Sequence, residues 1–165
     1  MNFITSDFHI GHPNCAVKHR GFDSVEHQSE VIRNNWLSQV TKHDKVFIVG
    51  DVGYNKDASV LSFFNDLPGA KHIIMGNHDQ CSIEEYLKVF YKISGMINYK
   101  MFVITHAPIH PSELRGRINI HGHLHDKVVM LNGIPDERYI NANVDVNGYR
   151  LLNLDLLVEK YKGTL

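Results

Sequence analysis

The chain is short of several things that would point to a function. It has two cysteines, Cys15 and Cys81, 66 residues apart and outside any CxxC spacing. Two such residues make no disulfide framework and read as thiols in a reducing compartment. No apolar run approaches the length of a membrane span. The polar cluster SDFH begins at residue 6, which leaves no room for a signal peptide ahead of it. A cytoplasmic location without a membrane partner is the expectation. Charge of one sign is also missing. A net charge of −1 makes no electrostatic case for a protein that coats duplex nucleic acid. Repeats, low-complexity segments and linkers are absent too, so residues 1–165 read as one domain with a single core. What is in excess is histidine, with twelve in the chain.

Short apolar runs rich in β-branched or aromatic residues occur at 3–5 (FIT), 46–49 (VFIV), 72–75 (HIIM), 101–105 (MFVIT) and 118–120 (INI). Their length and composition predict buried strands. Between the first two, Val25, Ile32, Trp36 and Val40 share a helical face over residues 23–40, and Asp23 with Glu26 predicts a capping box at its start. Shorter helices are predicted over 57–67, closed by Pro68-Gly69, and over 82–93. Strand-like runs follow at 127–131 and 138–144, and a terminal helix is predicted over 151–163. The alternation in the first half is that of an α/β protein.

Each apolar run is followed by donor groups. After FIT come Asp7 and His9; after VFIV, Gly50 and Asp51; after HIIM, Gly76, Asn77, His78 and Asp79; after MFVIT, His106; after INI, the stretch His121-Gly122-His123-Leu124-His125. Ligands bind at the carboxyl edge of α/β sheets. Asp7 and His9 are two apart, as are His123 and His125, and in extended chain each pair projects to one side. Each piece alone has an ordinary reading: a turn for Gly50-Asp51, a hairpin for GNHD, a hydrogen-bonded core residue for His106. All five after strands, in one chain, make a coincidence of turns untenable. Mixed oxygen and nitrogen donors suit Mn²⁺, Fe²⁺ or Zn²⁺. Two aspartates, one asparagine and four histidines suffice for two ions about 4 Å apart that share a carboxylate. Glycines before Asp51, Asn77 and His123 allow sharp turns and close approach.

The ordered motifs DxH, GD, GNH[DE], H and GHxH, spanning residues 7–125, resemble those of the calcineurin-like metallophosphoesterases. The runs DFHIGHPN and NNWLSQV…DKVFIVGD are similar to a small bacterial and phage subfamily. The resemblance implies an α/β fold of two packed mixed β-sheets flanked by helices, a four-layer α-β-β-α sandwich. It implies that Asp7, His9, Asp51 and His125 hold one divalent ion, that Asp51 bridges to a second, and that Asn77, His106 and His123 complete that second site. The ions implied are Mn²⁺ first, with Fe²⁺, Zn²⁺ or Ni²⁺ as others. His78 is the implied catalytic residue over the substrate phosphate, and a bridging hydroxide the implied nucleophile. Asp79 either caps the following helix or orients its neighbours.

There is one departure. Protein phosphatases of this superfamily read GDxxDRG, whose second aspartate braces the catalytic histidine; here Tyr54 occupies that place in GDVGYN. A protein-serine phosphatase is therefore disfavoured. The chain ends about forty residues after HGHLH, too soon for the capping domain of related nucleases that process DNA ends. The expected substrate is a small phosphoester of nucleotide or cyclic nucleotide type, with phosphodiester hydrolysis as the reaction. A nuclease or phosphomonoesterase is the alternative. The basic runs KHR and RGR are too sparse to favour nucleic acid. A non-enzymatic scaffold is disfavoured because every ligand is kept. Arg20, Arg115, Arg117, His12 and His110 are further candidates for substrate contacts, while His19, His27, His43 and His72 read as structural or exposed. The oligomeric state is left open.

Overall fold

The computed structural model describes residues 1–54 and 58–163. Four parallel strands, β1 (Asn2–Thr5), β2 (Lys45–Ile48), β3 (Ala70–Ile74) and β4 (Lys92–Ser94), form most of one sheet. The second contains β5 (Met96–Tyr99), β6 (Phe102–Thr105) and β7 (Ile118–His121). A separate hairpin pairs β8 (Met130–Leu131) with β9 (Ile134–Pro135). β10 (Tyr139–Asn141) then joins β7 in parallel, and β11 (Leu152–Asn153) closes the first sheet antiparallel to β1. The orders are β11-β1-β2-β3-β4 and β10-β7-β6-β5. The result is two packed mixed sheets flanked by helices α1 (Val25–Gln39), α2 (Ile83–Leu87) and α3 (Leu154–Tyr161).

The apolar runs are continuous because the first sheet is buried on both faces. Successive residues alternate between two clusters. Phe3, Val46, Ile48 and Ile73 face Ile32 and Trp36 of α1 together with Phe64, Tyr86 and Phe90. Ile4, Phe47, Val49 and Ile74 face the other way, into an apolar layer shared with Phe102, Ile104, Ile118 and Ile120 of the second sheet and Leu154 and Val158 of α3. This period-two division is what a pleated strand imposes.

Several sequence expectations are corrected. α1 is capped by Ser24, whose hydroxyl accepts from the His27 amide at 3.1 Å. Asp23 instead pairs with His27 at 3.0 Å, so the Asp23–Glu26 capping box does not form. The helix predicted over 57–67 is a 3₁₀ segment, Ala58–Phe64, that buries Leu61 and Phe64 three residues apart; its first residue lies outside the described ones. The helix predicted over 82–93 stops at Leu87, because Lys92 and Ile93 pair with His72 and Ile73 of β3. Tertiary pairing there outweighs local helical pattern. Only Met130 and Leu131 of the run at 127–131, and Tyr139–Asn141 of that at 138–144, are in strands. The terminal helix begins only at Leu154, after β11. A π-helical turn, Asn14–His19, was not foreseen.

His72 is buried in β3, within 2.9 Å of the Ser94 hydroxyl. Burial, with a smaller contribution from Lys92, lowers its pKa from 6.5 to about 4. In the unfolded chain it takes up a proton near the ordinary histidine value, so the stability it contributes is complete above about pH 6.5 and is lost as pH falls toward 4. Metal-free wild type should therefore lose more of its urea midpoint between pH 7.5 and 5 than His72→Gln does. Equal losses in the two proteins would show that His72 carries no such dependence.

Candidate metal centre

Loops following β1, β2, β3, β6 and β7 deliver the predicted donors to one place. The first two are laced together by backbone: the amides of Asp7, His9 and Ile10 donate to the carbonyls of Gly50, Asp51 and Val52 at 3.0, 3.0 and 3.1 Å. The donor pairs converge differently from the extended arrangement expected. Asp7, His9, Asp51, His123 and His125 all have positive φ, between 49° and 66°. Each such non-glycine residue costs of order 1–3 kcal/mol, and their concentration at one locus marks the loops as held from outside themselves.

Glycine supplies the space. A Cβ on Gly76 would lie 2.3 Å from Asp51 Oδ1, and one on Gly122 2.2 Å from Asp7 Oδ2. At neither residue is φ positive, so close approach rather than a special turn is the requirement there.

Two groups of donors result. Asp7, His9 and His125 place one ligand atom each within 4.8 Å of one another, and so do Asp51, His106 and His123. Asn77 joins the latter, with Oδ1 at 3.0 Å from His106 Nε2 and 2.9 Å from His123 Nδ1. Asp51 Oδ2 faces both groups, 3.7 Å from His9 Nε2 and 3.4 Å from His106 Nε2. Asp7, His9, Asp51 and His106 are buried, whereas Asn77, His78 and His123 are exposed. His121 lies outside both groups and hydrogen-bonds the Gly122 carbonyl at 2.8 Å.

The donors fit divalent ions. His9 is buried with neither ring nitrogen hydrogen-bonded, a costly state for an imidazole unless a cation takes up a lone pair. Burial pushes the Asp7 carboxyl up to about 6 and the His9 imidazole down to about 3. Burial also works to lower His106, but its hydrogen bond to Asp51 prevails and raises it to about 9. A divalent ion held by these groups would favour the ionised carboxylate and the neutral imidazoles.

Asp79 resolves as the residue that orients its neighbours. Its carboxylate accepts the amides of Asp51, Val52 and Gly76 at 2.9, 3.0 and 2.7 Å. α2 has its own capping box, Ser82 with Glu85. His78 is held by its backbone, whose amide donates to Asp51 Oδ1 at 2.9 Å. Its ring meets that of His9 edge-on at 5.4 Å. No carboxylate pairs with the His78 ring among the described residues, and the Tyr54 ring lies tilted against that of His12, with centroids 4.0 Å apart.

A cavity of about 610 Å³ opens beside His9, His78 and His125, with His12, His19, Arg20, Asp126 and Tyr149 in its walls. His12 is thus at the site, and so is His19, which the sequence placed elsewhere. Arg20, a candidate phosphate contact, is 2% exposed and pairs with Asp145 at 2.7 Å. Asp145 also meets His125 Nδ1 at 2.7 Å. Nothing in the Asn- and Asp-rich run around Asp145 separates it from turn-forming neighbours, and it was missed. His110 caps a 3₁₀ segment, Arg115 pairs with Glu113, and Arg117 bonds Asn98; none of the three lines the cavity.

Two groups of candidate metal ligands thus stand side by side at the sheet edge. The model of the calcineurin-like phosphoesterase family matches residues 3–162. The chain belongs to this family of metal-dependent phosphoester hydrolases, which uses a binuclear divalent metal centre. It is similar to the Gene 66 protein of Mycobacterium phage L5, at 29% identity over 93% of this chain and 90% of the relative. The Gene 66 protein of Mycobacterium phage D29 is 26% identical over 87% of each. Among solved structures, a protein of unknown function from Aquifex aeolicus aligns with a TM-score of 0.70 at 25% identity, covering 97% of this chain and 98% of that one.

The contact at Gly122 sets up a direct check. Gly122→Ala should push Asp7 out of place and weaken divalent-ion binding by about tenfold or more, read by calorimetric titration of metal-free protein. Gly95→Ala, where a Cβ meets nothing within 4 Å, should titrate like wild type. Normal ion binding by Gly122→Ala would mean that the Asp7 position is not needed.

Proposed function

We propose that residues 1–165 form one metallophosphoesterase domain that hydrolyses small phosphodiesters of nucleotide or cyclic nucleotide type. The observation that carries this reading is the pair of donor groups with Asp51 between them, beside a cavity of about 610 Å³. Asp7, His9 and His125, with Asp51, would hold one ion; Asn77, His106 and His123, with Asp51, the other. When bound, the two ions supply charge to offset that of the phosphoryl oxygens and acidify water as the nucleophile. The mixed O/N donor set supports Mn²⁺ first, with Fe²⁺, Zn²⁺ or Ni²⁺ as substitutes.

His78 is exposed at the cavity wall, beside His9 but not in either donor group. It faces the reacting phosphate, offers a proton to the leaving oxygen and stabilises charge there. The cavity is large enough for a nucleoside-sized substituent. Its one arginine is committed to Asp145 and to backbone carbonyls, which speaks against a long polyanionic strand as substrate. Cys15 and Cys81 form no disulfide, in keeping with a cytoplasmic setting.

Metal-free protein should bind close to two Mn²⁺ per chain, with activity lost to EDTA and restored by Mn²⁺. Asp51→Asn should depress metal content and rate more than His9→Ala does, since it serves both groups. A saturating stoichiometry of one sinks the two-ion reading.

His78→Ala should keep both ions while slowing a nucleotide diester on the order of a hundredfold. An aryl diester, whose nitrophenolate leaves without a proton, should lose much less. Equal losses would remove the general-acid role, and no loss would remove His78 from the mechanism. Hydrolysis confined to monoesters, or to long strands, would favour the phosphomonoesterase or nuclease alternative.

A further inference from the structure

Arg20 follows the π-helical turn Asn14–His19, and its side chain is almost wholly enclosed, at 2% exposure. Its guanidinium donates to the Asp7 carbonyl at 2.6 Å and the Phe8 carbonyl at 2.9 Å. Nε meets Asp145 Oδ1 at 2.7 Å. The other oxygen of Asp145 accepts from His125 Nδ1 at 2.7 Å. One planar fork therefore joins the peptide running from Asp7 toward His9 to the ring of His125. Those three residues are one donor group, in which His125 lies more than 110 residues from the other two.

Of the two donor groups, the pair hydrogen-bonds only to this one, although Asp7 is also tied to the other through the His123 amide, which donates to its Oδ2 at 3.0 Å. The second has separate supports: His106 Nδ1 donates to the Val49 carbonyl at 2.7 Å, and Asp79 holds the amides of Asp51 and Gly76. Packing alone does not hold the His125 ring, because its side chain is 42% exposed. The carboxylate of Asp145 does, and it places the ring proton on Nδ1, leaving the Nε2 lone pair for an ion. Asp145 is itself seated by its amide, which donates to Asn143 Oδ1 at 2.9 Å. An enclosed Arg–carboxylate pair is not by itself strong evidence of a stabilising role. Contacts confined to the backbone and ring of one donor group are what its placement does supply.

We infer that Arg20 and Asp145 are a positioning pair dedicated to the Asp7–His9–His125 ion site, so that the two ions are bound with separately tunable affinities. This rests on the two-ion reading above. Neither residue needs to touch substrate; both act through the geometry of the first group.

The test is a Mn²⁺ titration of metal-free protein, followed by calorimetry and by electron paramagnetic resonance, which distinguishes isolated from spin-coupled Mn²⁺. Wild type should take two ions and develop a coupled signal. Asp145→Asn should bind one ion at wild-type affinity and the other 10–100-fold more weakly, with an uncoupled signal at one equivalent. His123→Ala supplies the reference for loss at the opposite site. Arg20→Gln, which leaves His125 paired with Asp145, should show the same order with a smaller loss. In the double variant Arg20→Met/Asp145→Asn no charge is left unpaired. Continued weak binding there supports positioning, and full recovery would overturn it in favour of simple charge repulsion. Two ions at unchanged affinity in Asp145→Asn would overturn the inference while leaving the two-ion reading intact. Equal weakening of both sites, with a lowered melting midpoint, would also overturn it, as a merely structural effect. If wild type itself takes a single ion, the two-ion reading fails and the inference with it.

Discussion

Two buried carboxylates packed against a cluster of imidazoles impose the constraint around which this structure is arranged. Asp7 and Asp51 both lie inside the protein with His9 and His106 between and beside them. Removing such groups from water is costly unless opposite charge is close and well placed. The surrounding features serve that placement. Gly76 and Gly122 leave the carboxylate oxygens of Asp51 and Asp7 space that a Cβ would occupy. Left-handed backbone at five donors turns side chains together that a pleated strand would separate. Asp79 and Asp145, neither of them a member of the donor groups, tie down the loops and a ring from behind.

The two sheets matter because each donor group draws on both. Asp7 and His9 follow β1 and Asp51 follows β2 in the first sheet, whereas His106 follows β6 and His123 and His125 follow β7 in the second. Neither sheet contains a complete group. The separation of the donors is therefore set by the apolar layer between the sheets, where Ile4, Phe47, Val49 and Ile74 meet Phe102, Ile104 and Ile120. Dense packing of that layer is what fixes distances at its edge. Membership of the calcineurin-like phosphoesterase family accords with this division of labour between an apolar seam and a polar rim.

Much of this was legible beforehand. The five apolar runs that precede donor groups are strands, because four or five β-branched or aromatic residues buried on both faces leave little alternative. The seven candidate donors and His78 lie in the loops that follow those strands, as their order after the runs predicts. What escaped notice had no local signature. β4 lies inside a stretch with helical periodicity and is a strand only because β3 is beside it. The cap of α1 belongs to Ser24 rather than Asp23, a choice between adjacent residues that depends on where the chain enters the helix. Arg20 in the run KHR reads as a candidate substrate contact, yet in the fold it is enclosed and paired across 125 residues.

Sequence by itself determined the chemistry: which donors are available, how many, and that they stand at strand ends. Those properties depend on side-chain type and short-range pattern, which are written along the chain. Tertiary structure alone decided how the donors divide into two groups, which of them are buried, and which non-ligand residues hold them. Those depend on contacts between segments far apart in sequence. The energy of such contacts comes from desolvation, close packing and paired charge, which exist only once the two sheets have met.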